Sequence, residues 1–237
     1  NISLELRDVL KKEFVINHIK IDKIQKSNDG TIKNAVTLFD NLLVESVLIP
    51  TAKRTTACIS SQVGCSLDCD FCATSKLKRI RNLKPDEIFD QASTINLQSK
   101  LYYNRPISNI VFMGMGEPLL NYKNLILGIE KITGKDGLGI SPKRITVSTS
   151  GISKLIIKMA DENVKFNLAI SLHSALEKTR NKIMPFSKKF PLDELKEAVK
   201  YWYKKTRKKV TYEYIVWKEI NDDMKHIKAL VKFCKAS

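Results

Sequence analysis

Three cysteines, Cys65, Cys69 and Cys72, stand close together in the first third of the chain. Three and then two residues separate them, a spacing that lets one loop wrap three thiolates around an iron–sulfur cluster. A cubane cluster contains four irons, so three protein ligands leave one iron open to bind a small molecule. The spacing therefore predicts a cluster that takes part in chemistry rather than one that only carries electrons.

A zinc site and a disulfide framework are the alternatives for these cysteines. Structural zinc takes four closed ligands, usually as two paired knuckles, and the sequence has no second knuckle. The histidines that remain are His18, His173 and His226. A disulfide framework fits poorly because the chain has 5 cysteines, an odd number, and its 237 residues are enough for an ordinary core.

A fourth cysteine, Cys58, narrows the interpretation. It lies seven residues before Cys65 in the string Cys-Ile-Ser-Ser-Gln-Val-Gly-Cys. The Cys-x3-Cys-x2-Cys loop resembles that of radical S-adenosylmethionine (SAM) enzymes, and the longer string resembles the RlmN/Cfr family of RNA adenine methyltransferases. The resemblance implies a 4Fe–4S cluster held by Cys65, Cys69 and Cys72, with SAM as the second cofactor.

The resemblance also implies a reaction and its partners. It implies methylation of carbon 2 of an adenine in large-subunit ribosomal RNA and in tRNA, through a methyl-cysteine intermediate and a protein–RNA crosslink. Cys58 would resolve that crosslink by forming a disulfide. An electron donor such as flavodoxin and a monomeric state are expected. Methylation of carbon 8, as in antibiotic resistance, and a non-catalytic RNA-binding metal protein are the alternatives.

A second motif, Gly-Met-Gly-Glu-Pro at 114–118, follows an apolar strand pattern. Glycines let a backbone approach a ligand closely, and Glu117 can accept a hydrogen bond from an ammonium group. By itself the motif is equally typical of a tight turn before a helix. Its resemblance to the family segment implies that Gly116 and Glu117 bind SAM.

Two strand ends carry further candidates. Ser148 and the Ser171-Leu172-His173 string each end a predicted strand. A serine there can simply cap a helix, and a lone histidine is usually structural. The resemblance implies SAM contacts for Ser148, Ser171, Leu172 and His173. It also implies a role for Arg180 and Pro185, which lie in Arg-x-x-x-Met-Pro, in positioning substrate or loop.

An acidic residue, Glu45, interrupts the apolar strand pattern before Cys58. Simple alternation would turn it toward solvent. The family has a proton-accepting Glu in a matching string, thirteen residues before the first cysteine, and Glu45 keeps that spacing. Burial beside the reacting base would raise its pKa and suit it to proton transfer.

One family feature is missing. The methyl-carrying cysteine of the family lies late in the barrel, in an Ala-Cys-Gly-type string that is not found here. Cys234 is the only other cysteine, and its helical neighbours predict a packing role. We therefore expect the carrier to lie beyond Ser237. This chain should hold the cluster and SAM without completing methyl transfer.

Bulk composition favours a folded protein with a polyanionic partner. The chain has 41 Lys and Arg against 25 Asp and Glu, a net charge of +16, and such an excess favours nucleic acid. A lysine-rich coding bias gives the same excess, so charge alone leaves the partner open. No apolar run reaches the roughly 20 residues that cross a bilayer, and clustered cysteines predict the reducing cytoplasm.

Alternating strand and helix patterns from residue 53 predict an α/β protein with a parallel sheet. Predicted strands cover 55–60, 108–113, 144–148, 165–171 and 210–216, and predicted helices cover 85–100, 122–133, 152–163, 192–204 and 222–234. The resemblance implies a partial (β/α)6 radical SAM barrel with about five units present. Ligands of such a barrel gather at the carboxyl ends of the strands, where the motifs fall.

Three regions are expected along the chain. Residues 1–14 would be the remnant of a helical domain with a helix over 4–14, 15–52 a β-hairpin accessory region, and 53–237 the barrel without its last unit. Turn signals at 28–30 and 40–41 separate predicted strands at 31–39 and 42–49. The basic run 204–209 is expected to be a solvated turn.

Overall fold

A computed structural model of the protein describes residues 2–14 and 18–236. The strands are β1 (Lys20–Lys26), β2 (Ile32–Thr37), β3 (Leu43–Pro50), β4 (Thr55–Cys58), β5 (Gln62–Val63), β6 (Arg81–Asn82), β7 (Asn109–Phe112), β8 (Ile145–Thr149), β9 (Asn167–Ser171) and β10 (Thr211–Glu213). The helices are α1 (Leu4–Glu13), α2 (Pro85–Tyr103), α3 (Tyr122–Thr133), α4 (Ser153–Asp161), α5 (Glu177–Ile183), α6 (Leu192–Thr206) and α7 (Met224–Ala236). Within these ranges no helix has the length and apolar character to cross a membrane.

One large sheet organises the fold, with the strand order β1-β2-β3-β4-β7-β8-β9-β10. The last five of these strands pair in parallel. Each is followed by helical structure, which gives five β/α units and confirms the predicted α/β class. The parallel strands are apolar because helices and sheet bury them: Ile110, Val147 and Leu168 are at most 1% exposed.

The accessory strands belong to the same sheet. β1, β2 and β3 form an antiparallel meander, and β3 pairs with β4 at the start of the parallel part. The turn signals are confirmed, because Gly30 and Asn41 both have the positive φ that these turns require. Inside the protein, the Asn34 and Gln98 amides bond each other reciprocally at 2.8 Å and tie β2 to α2.

Local signals explain where α2 begins and ends. Pro85 occupies the first turn, and the Glu87 carboxylate accepts a hydrogen bond from the Lys84 amide at 2.8 Å. Asn104 ends the helix in the left-handed conformation. The helix is therefore three residues longer than the predicted 85–100.

Some predictions differ from the structure. The strand expected over 210–216 stops at Glu213, because its carbonyl accepts both the Leu172 and His173 amides and the ladder ends there. The sequence patterns also missed α5 and the two-residue strands β5 and β6. The three regional boundaries stay predictions, and the one between 14 and 15 meets residues 15–17, which lie outside the described ranges.

Candidate active site at the carboxyl edge of the parallel strands

A short two-stranded sheet closes the loop that carries the three cysteines. Val63 of β5 pairs with Arg81 of β6, so residues 64–80 leave and return at one point. The Cys65 amide donates to the Leu77 carbonyl at 3.0 Å. Gly64 has φ +73°, and a Cβ there would meet the Lys78 carbonyl at 2.2 Å. Only glycine fits where the two arms of the loop come this close, so closure of the loop requires glycine immediately before Cys65.

The three cysteines share one cavity. It has a volume of about 450 Å³, and Cys65, Cys69 and Cys72 all line it. Leu67, Ile183 and Met184 pack against the cysteines from the protein side. In addition the Asp70 amide donates to the Ile183 carbonyl at 3.0 Å, so α5 supports the loop that holds the thiols.

The thiols lie in an environment that opposes isolated negative charge. Burial raises the pKa of Cys69 to about 12, with the neighbouring Cys65 and Cys72 adding to the effect. Burial likewise raises the pKa of Cys65. Thiolates at this place therefore need a cationic partner.

An iron–sulfur cluster fits this donor set. Three soft thiols facing one cavity match the ligand chemistry of such a cluster. In the described part of the chain no three His, Cys, Asp or Glu side chains form a single-ion site. The cysteines are all free, so no disulfide is present to compete for them.

Glu117 is buried and ties two loops together. Its carboxylate accepts hydrogen bonds from the Ser150 amide at 2.7 Å and from the Leu119 amide at 3.0 Å. Burial raises its pKa, and these hydrogen bonds oppose that shift. Gly116 has φ +94°, and a Cβ there would lie 2.4 Å from Cβ of Gln62. Both residues line the cavity, and their role in binding SAM stays a prediction.

The predicted serines meet a carboxylate that the sequence analysis did not select. Glu213 Oε2 accepts hydrogen bonds from Ser148 Oγ at 2.9 Å and from Ser171 Oγ at 3.1 Å. Ser148 is the second-last residue of β8, Ser171 and Glu213 are the last residues of β9 and β10, and all three line the cavity. No local signal pointed to Glu213, because it lies in the middle of the predicted strand 210–216. It reaches the edge where ligands gather because β10 ends at this residue.

His173 reaches the same cavity in a defined protonation state. The Ile215 amide donates to its Nδ1 at 3.2 Å, and Phe71 contacts the ring edge-on at 4.6 Å between centroids. Burial, reinforced by the nearby Arg180, lowers the pKa of His173 to about 4. The ring is therefore neutral at physiological pH, with its proton on Nε2.

Leu172 and Arg180 connect two of the loops that surround the cavity. Leu172 is fully buried, and its carbonyl accepts a hydrogen bond from Arg180 Nε at 3.2 Å. Arg180 Nη2 donates to the Ser150 carbonyl at 2.6 Å, while Nη1 is buried without a partner among the described residues. The guanidinium thus joins the loops that follow β8 and β9. Pro185 begins a 3-10 turn after α5 and does not line the cavity.

Cys58 ends β4 behind the cavity wall. It pairs with Val47 of β3 and Val111 of β7 and is 8% exposed. Burial raises the pKa of its thiol to about 11, an effect that the Met113 backbone opposes and Glu213 increases. Cys58 is not among the lining residues, so the structure places it next to the cavity rather than in it.

Two predicted residues lie apart from the cavity. Glu45 is about half exposed and its carboxylate pairs with Lys33 at 2.6 Å, so the burial expected to raise its pKa is not seen. Its backbone is nevertheless close, because the Glu45 carbonyl accepts from Ser60 Oγ at 2.6 Å. Cys234 is exposed on α7, and the packing role expected for it is wrong.

Comparison with known proteins gives a consistent result. Residues 59–231 match the radical SAM superfamily. The chain is 68% identical to a probable dual-specificity RNA methyltransferase RlmN of Flavobacterium psychrophilum, covering 99% of this chain and 68% of that protein. It is 40% identical to the corresponding protein of Thermus thermophilus, covering 97% and 64%.

A solved structure agrees with the sequence comparisons. The fold superposes on a radical SAM methyltransferase from Sphaerobacter thermophilus with a TM-score of 0.93 and 32% identity. The match covers 98% of this chain and 68% of that one. The family implies a 4Fe–4S cluster and SAM as cofactors, in agreement with the three thiols and the polar cavity beside them. This chain therefore belongs to the radical SAM superfamily and, within it, to the RlmN family of RNA methyltransferases.

Proposed function

We propose that the protein methylates carbon 2 of an adenine in large-subunit ribosomal RNA and in tRNA. One observation carries the proposal. Cys65, Cys69 and Cys72 line the same cavity as the buried polar groups of Glu117, Ser148 and His173. A cluster and a polar cationic cofactor would then lie side by side at the carboxyl edge of the barrel.

The three cysteines would hold the cluster by their Sγ atoms and leave one iron for SAM. When bound, the cluster and SAM supply an electron, a methyl group and a carbon radical. The protein's own contribution is to bind and orient them. The cluster loop is closed at its base and packed on α5, and these contacts would hold its thiols in position for the cluster.

The charged and polar groups of the cavity would bind the two ends of SAM. Glu117 would accept a hydrogen bond from the ammonium group, since carboxylates bind ammonium strongly. Ser148 and Ser171 would bind hydroxyl or carboxylate oxygens, and His173 would donate from Nε2. Glu213 organises the two serines through its hydrogen bonds.

Cys58 and Glu45 would act on the RNA. The Cys58 thiolate would attack the sulfur of the crosslinked cysteine, forming an S–S bond as the carbon–sulfur bond breaks. The electron pair passes to the methylene carbon, which takes up a proton. Glu45 would accept the proton that the adenine carbon loses. A donor of the flavodoxin class, a monomeric state and a cytoplasmic location stay predictions of the sequence.

Anaerobic reconstitution tests this proposal. Protein of the length of its relatives should bind iron and sulfide, cleave SAM with dithionite, and yield 2-methyladenosine in nuclease digests of RNA. The Cys65→Ser, Cys69→Ser and Cys72→Ser variants should lose iron and SAM cleavage, whereas Cys234→Ser should keep both. Formation of 8-methyladenosine would establish the carbon 8 alternative. Bound zinc without SAM cleavage would point to an RNA-binding metal protein.

A further inference from the structure

The last part of the cluster loop has an unusual surface. Residues 76–80, here called the return segment, read Lys-Leu-Lys-Arg-Ile and are all exposed. Leu77 is 55% exposed and Ile80 is 63% exposed. Across residues 2–14 and 18–236, neither Lys76, Lys78 nor Arg79 forms an ion pair. Three cations without an ion-pair partner in the described ranges therefore lie among two exposed apolar side chains.

The return segment is attached directly to the site. The Leu77 carbonyl accepts the Cys65 amide at 3.0 Å, and the Ile80 amide donates to the Val63 carbonyl at 2.9 Å. The Lys78 carbonyl lies over Gly64. The segment therefore lies beside the first cluster cysteine, at the edge of the sheet where the cavity is found.

A second basic run provides the comparison. Residues 204–209, predicted to be a solvated turn, cover the last turn of α6 and part of the connection to β10. They therefore lie at the amino edge of the parallel strands, away from the cavity. Lys208 there is structural, because its Nζ donates to the Val164 and Phe166 carbonyls. The return segment, with three basic residues, and the run 204–209, with five, thus occupy opposite ends of the barrel.

We propose that the return segment is a contact surface for the substrate RNA beside the reacting adenine. This inference rests on the proposed function. Lysine and arginine side chains at 76, 78 and 79 would neutralise phosphates, and Leu77 and Ile80 would pack against unstacked bases. Solvation alone explains why the cations are exposed, but it does not explain why Leu77 and Ile80 are exposed beside them. Acidic Asp68 and Asp70 lie earlier in the same loop, so the positive charge is confined to the return arm.

A matched pair of variants tests the proposal. K76Q/K78Q/R79Q removes two lysines and one arginine from the return segment, and K204Q/R207Q/K209Q removes the same groups from the far end. Binding of substrate RNA to reconstituted protein is measured at several salt concentrations. We expect the first variant to bind at least tenfold more weakly at 0.1 M salt. Its salt slope should fall by about 0.7–0.9 for each lost contact, while the control changes less than twofold.

Other results of this experiment would contradict either this proposal or the proposed function. Equal losses in both variants would overturn the proposal, because bulk charge would explain them. Unchanged RNA binding, with slower reduction by a flavodoxin-class donor but not by dithionite, would make the segment a protein-docking surface and also overturn it. Failure of the unaltered protein to bind RNA would contradict the proposed function itself. Iron content and RNA-free SAM cleavage should stay unchanged. If the triple variant fails to hold iron, K78E alone, compared with K204E, decides.

Discussion

The backbone amide of Ile215 donates a hydrogen bond to Nδ1 of His173 at 3.2 Å. The bond joins the residues that follow β10 to the end of β9, and it requires that Nδ1 carry no proton. His173 consequently presents a neutral N–H to the cavity.

We expect the protein to lose stability as the pH falls from about 6.5 to about 4. The pKa of His173 is lowered to about 4 by burial and by Arg180, so in this window the unfolded chain binds a proton that the folded chain does not. The loss from this group approaches roughly 3 kcal/mol. Urea unfolding at several pH values measures it. His173→Gln should lack this part of the pH dependence and the exposed His18→Gln should retain it; equal curves would contradict the assignment.

Glu117→Gln should weaken SAM binding. Each Glu117 oxygen accepts a backbone amide, so an amide side chain would place an NH₂ against one of these donors and would also remove the charge that attracts an ammonium. We expect at least a tenfold lower affinity for SAM in equilibrium binding, with unchanged iron content. Glu130→Gln on α3 is the control. An unaltered affinity for SAM in Glu117→Gln would mean that Glu117 only connects the two loops and does not bind SAM.

Cys58 should be slow to alkylate in reconstituted protein. Its pKa is raised to about 11 by burial, so at pH 7.5 only about one molecule in a few thousand carries the thiolate. Exposed Cys234 provides an internal comparison. Iodoacetamide followed by peptide mass spectrometry should find Cys234 modified far sooner, and the Cys58 rate should rise about tenfold per pH unit. Equal rates at pH 7.5 would mean that the thiolate is already stabilised.

Arg180 should influence the cluster potential through its charge. It is fully buried, and among residues 2–14 and 18–236 its side chain donates only to the Leu172 and Ser150 carbonyls. Its positive charge acts on Cys69. Arg180→Met should shift the midpoint potential to more negative values, because a cation stabilises the reduced cluster. Arg180→Lys should keep the potential but lose about 1–3 kcal/mol of unfolding free energy, since one carbonyl loses its donor. Redox titration followed by EPR separates the two; a potential unchanged in Arg180→Met would contradict the prediction.

Local motifs, together with the family resemblance, selected most of the candidate residues that the structure places around one cavity. The cysteine spacing, the glycines around Glu117 and the strand ends at Ser148 and Ser171 can be found without knowing the fold. Glu213 could not be selected in this way, because its role depends on the parallel register that places it opposite Ser171.

The same limit applies to pairings between distant segments. β5 and β6 have two residues each and lie eighteen positions apart, so neither has a periodicity to detect. Glu45 shows the converse case. Its alternation in β3 predicted solvent exposure, and the structure has it half exposed and paired with Lys33, while its catalytic role stays a prediction.

The pairing of β5 with β6 has a consequence for oxidative damage to the cluster. Since backbone hydrogen bonds close the ring of residues 64–80 at its base, folding of the chain would already meet the entropic cost of loop closure. Iron would enter a frame that exists beforehand. Oxidative damage would then remove the cluster and leave the loop folded. Repair would require insertion of a new cluster but no refolding of the chain.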